Sequence, residues 1–118
     1  YYESPYTTGT VIQGNSVTGN DIGVWLSNLD AGGNAPASPT NIKVVNNTIS
    51  CDRLNNTTGL GSAPYQAGIS DVGNKDKLIN NKISGAGYNP DTKQGSTFYI
   101  DADASFTNRA KVKANKFE

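Results

Sequence analysis

The chain of 118 residues has no histidine, no methionine and a single cysteine, Cys51. Each absence closes a class of chemistry. Without histidine there is no side chain that ordinarily titrates near neutrality, no imidazole zinc ligand, and no Ser-His or Cys-His nucleophile pair. One cysteine cannot form a disulfide within the chain. No apolar run approaches the roughly 18 residues that a membrane-spanning helix requires. An excess of either charge is missing too. Ten Lys and Arg cancel ten Asp and Glu, so no net field steers the molecule toward nucleic acid or an anionic membrane, and neither is an expected partner. A chain that starts at Tyr1 and holds no Met is expected to be a piece of a longer protein.

Asparagine and glycine are abundant instead, at fifteen and thirteen residues against 17% charged. Both are poor helix formers, and both suit turns that need positive φ. Nowhere do apolar residues recur at three and four for two turns, so everything regular is expected to be strand. The Asn-rich, nearly Cys-free composition leans toward an extracellular protein or one on a cell or virion surface.

One unit recurs. An Asn followed two residues later by an apolar side chain appears as Asn15-Ser16-Val17, Asn47-Thr48-Ile49, Asn81-Lys82-Ile83 and Asn115-Lys116-Phe117. The steps between these asparagines are 32, 34 and 34 residues. Three residues before each stands another apolar residue: Ile12, Val44, Leu78 and Val112. A fixed period of this size signals stacked structural repeats. Residues two apart on a strand share a face, so the apolar members on either side of each Asn point inward and stack into rows. Cys51, two after Ile49, joins them as a buried thiol. Asn tolerates the left-handed backbone that a sharp bend needs. Stacked asparagine amides would also bond to neighbouring backbone and to one another, as an Asn ladder.

A second unit lies between these: Val24-Trp25-Leu26-Ser27, Ala67-Gly68-Ile69-Ser70 and Phe98-Tyr99-Ile100-Asp101. Taking Leu26, Ile69 and Ile100 as equivalent inward positions sets Trp25, Gly68 and Tyr99 in one outer row. Ser27, Ser70 and Asp101 form the other. The surplus length falls in 30–40, 52–64 and 85–95, whose Gly, Pro, Ser and Asn content reads as loops. The first nine residues read as an irregular lead-in, and 10–118 as the repeat domain.

Val44-Val45-Asn46-Asn47-Thr48-Ile49-Ser50, Leu78-Ile79-Asn80-Asn81-Lys82-Ile83-Ser84 and Ala67-Gly68-Ile69-Ser70-Asp71 resemble the right-handed parallel β-helix, or pectate-lyase-like, superfamily. The resemblance covers Thr10 to Phe117 as three repeats and a fragment. It implies an all-β solenoid with long loops between strands. That superfamily includes pectate lyases, polygalacturonases, alginate epimerases, fructan-cleaving transferases, phage tailspikes and adhesins. Their common theme is an elongated sheet face that accommodates a sugar chain.

The candidate chemistry follows from the same rows. Trp25 and Tyr99, with Gly68 between them, would form a shallow trough on which sugar rings stack. The competing reading has loops folded over both rings. Asp101 and Asp103 share a strand face, with Ser70 and Asp71 one repeat below. Two carboxylates so placed could act as acid and base in glycoside cleavage. Calcium binding there is what the resemblance to pectate lyases would suggest, and it is the one cofactor left open. Solvated surface acids, some paired with Arg109 or Lys111, are the plainer reading. The base that a lyase needs has only Arg53 and Lys93 as loop candidates. The three-aspartate cluster of polygalacturonases is not evident, and neither is a calcium-binding Gly-Gly-x-Gly-x-Asp repeat. The glycosylation triplets at Asn46, Asn55 and Asn56 are what chance supplies in so much Asn and Thr.

The expected function is therefore a structural or binding stalk, such as part of a tailspike or surface adhesin, facing a polysaccharide or cell-surface glycan. The alternative is a fragment of a polysaccharide-cleaving enzyme: a lyase, glycoside hydrolase or fructan transferase. A stack cut across its axis leaves backbone unpaired at each end, so self-association or contact with missing parent coils is also expected.

Overall fold

The computed structural model describes residues 8–27, 34, 36–51, 67–89, 94–97, 100–102 and 111–117. Among the described residues all regular structure is strand and no helix occurs. Three sheets are built from strands that pair in parallel. The first holds β1 (Val11–Gln13), β4 (Lys43–Val45), β7 (Lys77–Ile79) and β11 (Lys111–Lys113), in that order. The second holds β2 (Ser16–Thr18), β5 (Thr48–Cys51), β8 (Lys82–Asn89) and β12 (Lys116–Phe117). The third holds β3 (Ile22–Ser27), β6 (Ala67–Val72) and β10 (Ile100–Ala102). Successive strands among these go to different sheets, and each lies beside the strand one repeat away.

Register carries the apolar pattern into a core. Ile12, Val44, Leu78 and Val112 are mutual partners along the first sheet. Val17, Ile49, Ile83 and Phe117 are partners along the second. Val44, Leu78, Ile49 and Ile83 are fully buried together with Leu26, Ile42 and Ile69, and Cys51 lies among them. Burying each such aliphatic side chain contributes about 1.5–3 kcal/mol relative to leaving it exposed. At the sheet edges Ile12 and Val17 are only partly buried, and Val112 is 47% exposed.

The four periodic asparagines form a hydrogen-bonded column. Asn47 Oδ1 accepts from the backbone N–H and the Nδ2 of Asn15, at 3.0 and 3.1 Å. Asn81 Oδ1 does the same for Asn47, at 3.0 Å for both bonds, and Asn115 Oδ1 for Asn81, at 2.9 Å for both. Each amide also donates backwards: Asn47 Nδ2 to Ile12 O, Asn81 Nδ2 to Val44 O, and Asn115 Nδ2 to Leu78 O. The bend itself is made elsewhere. The left-handed residues are Gly14, Asn46, Asn80 and Ala114, at φ 69, 56, 57 and 55°, each one place before the column. The column asparagines were expected to make that bend. They instead satisfy backbone groups next to it. A second set of left-handed residues, Gly9, Asn41 and Lys75, opens β1, β4 and β7.

Two further expectations change. The segment 85–95 was read as a loop, yet β8 runs on to Asn89 and pairs antiparallel with β9 (Gln94–Thr97), from Ala86 with Thr97 to Asn89 with Gln94. Turn-forming residues in a sequence say nothing against pairing of the segments that flank them. Gly85 begins this excursion at φ 106°, where a Cβ would collide with the Cys51 carbonyl.

The third sheet shifts as well. Val24, not Leu26, partners Ile69, and Ile69 partners Ile100. Leu26 lies opposite Asp71 instead. A slip of two residues keeps every side chain on its own face, and Val24 and Leu26 are both buried. The apolar pattern therefore fitted two registers equally well.

Candidate functional site

The shifted register rebuilds the outer row of the third sheet. Trp25, half-buried, stands opposite Ser70, and Ser70 opposite Asp101. Indole, hydroxyl and the Asp101 position thus span two strand spacings, about 10 Å. Gly68 does not lie beside Trp25. It sits against Gly23, where a Cβ would come within 2.6 Å of the Gly68 carbonyl oxygen. The glycine trough between two aromatic rings is accordingly not built by this register. Ser70 is only 6% exposed although strand alternation turns it away from the core. Tyr99, Asp103, Arg53, Arg109 and Lys93 lie outside the described residues, and Asp101 is placed by its backbone register alone.

Asp71 faces the opposite way from Ser70, into the core, and is fully buried. It meets Asp76, also fully buried. Asp76 follows the left-handed Lys75 as Ile42 follows the left-handed Asn41, so a carboxylate occupies what is an aliphatic slot one repeat earlier. Its Oδ1 accepts from the Ile42 backbone N–H at 2.7 Å and from the Thr40 hydroxyl at 2.6 Å. The Thr40 oxygen in turn accepts from the Asn74 backbone N–H at 2.9 Å. Asn74 Nδ2 reaches the carbonyls of Pro36 and Ala37 at 3.0 and 3.1 Å. Gly73 leaves the room, since a Cβ on it would collide with the Asp76 carboxylate.

Burial pushes the Asp71 carboxyl up to about 8, helped by the adjacent charge of Asp76. With its pKa raised this far, Asp71 keeps its proton at neutral pH beside Asp76. Such a dyad is the arrangement that acid–base catalysis uses when substrate can reach it. Here both carboxyls have no exposed surface. The pair therefore clasps the turn before β7 to the end of β6 and is closed to substrate. No group of three or more potential metal-ligating side chains occurs among the described residues.

One open groove, about 460 Å³, runs over the second sheet between Thr18, Ser50 and Ser84 on one side and Gly19, Cys51 and Gly85 on the other. Thr18, Ser50 and Ser84 are register partners, so three hydroxyls stand one strand apart.

No family model, no curated protein and no solved structure matches the chain. Its chemistry must be argued from its own residues. The buried carboxyl pair escaped sequence reasoning through Asp76. The signal was present: Asp76 precedes Leu78 by two, as Ile42 precedes Val44, so the repeat itself assigned it an inward place.

Proposed function

We propose that the chain is a stretch of a right-handed parallel β-helix with an Asn ladder, from an extracellular or surface protein, serving as a carbohydrate-facing stalk or binding surface rather than as a catalyst. The reading of a helical stack rests on three parallel sheets whose strands pair at offsets of 32 and 34 residues in the first two. The observation that carries the functional choice is the place of the carboxyl pair. Asp71 and Asp76 are the two carboxyls that meet among the described residues, and both are sealed inside. What remains on the outer face is Trp25, Ser70 and Asp101 in one row, a set suited to contacting a sugar ring and supplying few acids. A second molecule would pair along β1, β2 and β3, which end their sheets among the described residues.

The experiment is to incubate the protein with neutral and acidic polysaccharides, following Trp25 fluorescence and product formation in parallel. Altered emission without new reducing or unsaturated ends supports a binding stalk. Cleavage that disappears in Asp101→Asn overturns it in favour of a polysaccharide-cleaving fragment. Emission unmoved by every glycan removes the sugar-facing row.

A further inference from the structure

The balance of ten charges against ten conceals a separation that only the register reveals. Lys43, Lys77 and Lys111 are direct partners along β4, β7 and β11. Three lysines thus occupy successive strand positions, about 4.8 Å apart along the stack, Lys111 being placed by its backbone register alone. Lys113 lies two residues further along β11, on the same face. Around the asparagine corner, Lys82 and Lys116 are partners on the second sheet. Lys43, Lys77, Lys82, Lys113 and Lys116 are all exposed, as is Lys75 at the left-handed residue before β7. Six of the eight lysines in the chain therefore lie on strands of these two adjoining sheets, and Lys75 stands just before β7. No described strand of either sheet carries an Asp or a Glu. The gradient is steep: β1 and β2 hold no lysine, β4 and β5 hold one, and the later strands hold five.

Like charges set directly opposite on neighbouring strands destabilise a sheet. A row of three is a cost to the isolated fold that a linear polyanion would remove. We infer that the Lys43–Lys77–Lys111 row of the first sheet is a binding site for a linear acidic polysaccharide lying along the stack, with its anionic groups on the lysines. The occupant follows from what flanks the row. Beside it run Val45 and Ile79, register partners and both partly exposed, an aliphatic strip that fits the C–H face of a sugar ring. Aromatic side chains, on which the bases of a single-stranded nucleic acid stack, are missing from β1, β4, β7 and β11. Lysine supplies point charges without the bidentate fork of arginine, which suits a flexible run of carboxylates or sulfates. The site lies on a different sheet from Trp25 and Asp101, so it stands or falls apart from the sugar-facing row proposed above.

The test is calorimetric titration of the full chain with four probes: polymannuronate oligomers (a carboxylate on every sugar), hyaluronan oligomers (one on every second sugar), neutral dextran, and oligothymidylate. Dextran sulfate then distinguishes sulfate from carboxylate as the preferred anion. Polymannuronate should bind more tightly than hyaluronan, and its affinity should fall about tenfold or more between roughly 50 and 200 mM salt. The variant Lys43→Ser/Lys77→Ser/Lys111→Ser should lose about tenfold or more in affinity at the lower salt. Its thermal stability should be equal or higher, because the like-charge row is gone. Trp25→Phe should leave this binding unchanged. Should the triple variant misfold, Lys77→Gln alone should still weaken binding several-fold. Equal affinity for dextran, an unaffected lysine variant, or no binding of any acidic glycan overturns the proposal. Tighter binding of oligothymidylate overturns the choice of a glycan.

Discussion

Asp71 lies beside Asp76 inside the core, where neither carboxyl reaches solvent. The pair sets the end of β6 beside the turn that opens β7, and Asp76 accepts hydrogen bonds from the Thr40 hydroxyl and the Ile42 backbone N–H.

Stability should therefore depend on pH through Asp71. Its folded pKa, about 8, lies above the ordinary aspartate value of 3.8. Between those values the folded state holds a proton that the unfolded state has released, so stability falls as pH rises. The contribution is complete below the unfolded value and is lost as pH climbs through the folded one. Urea melts should give a lower midpoint near pH 9 than near pH 5. Asp71→Asn should flatten that slope, because an amide does not titrate. An unchanged slope in Asp71→Asn would place the titration elsewhere.

The asparagine column predicts unequal costs at chemically identical residues. Removing the Asn81 side chain takes away the acceptor of the Asn47 backbone N–H and of one Asn47 amide N–H, and the amide that donates to the Val44 carbonyl. Asn81→Ala should cost about 1–3 kcal/mol. Asn15 accepts no comparable bond from a preceding repeat among the described contacts, and its side chain is exposed. Asn15→Ala should cost less than about 1 kcal/mol. Equal losses in denaturant melts would mean that the column contributes through helical or strand propensity and not through its hydrogen bonds.

Much of this arrangement was legible in the chain. The steps of 32 and 34 residues located the Asn column and both inward rows, because strand alternation and a fixed repeat length leave little freedom in β1, β2 and their partners. The third sheet was less legible. Val24 and Leu26 are both inward and both apolar, so hydrophobicity could not tell one two-residue slip from the other, and the neighbour of Trp25 was misassigned. The left-handed residue was misplaced by one because Asn46-Asn47 and Asn80-Asn81 offer two asparagines for one bend. Asp76 was passed over because a charged residue in an inward slot becomes tolerable only once Thr40 and Ile42 are seen beside it.

Left-handed backbone at Ala114 gives a prediction of opposite sign. An L residue other than Gly or Asn is disfavoured there by roughly 1–2 kcal/mol, and Ala114 stands at φ 55° where the two preceding repeats place Asn. Ala114→Asn should stabilise the protein by about 1 kcal/mol, and Asn46→Ala should destabilise it by a similar amount. The pair of variants is read together by urea unfolding. If both move stability in the same direction, the bend is not made at this position.

Gly73 and Asp76 should be coupled. A methyl group at Gly73 would collide with the Asp76 carboxylate and stand 2.9 Å from the Thr40 hydroxyl oxygen. Both neighbours are buried and hydrogen-bonded, so neither can give way cheaply. Gly73→Ala should cost about 1–3 kcal/mol from overpacking alone, and more if the bonds to Ile42 and Thr40 are displaced. Asp76→Ala removes the obstacle but leaves those donors unsatisfied, again costing about 1–3 kcal/mol. In the double variant the new methyl group finds space vacated by the carboxylate. The combined loss should therefore fall short of the sum of the single losses by at least about 0.5 kcal/mol. Strict additivity in a double-mutant cycle would show that the two residues do not press on each other, and the clasp described for Asp71 and Asp76 would lose its geometric basis.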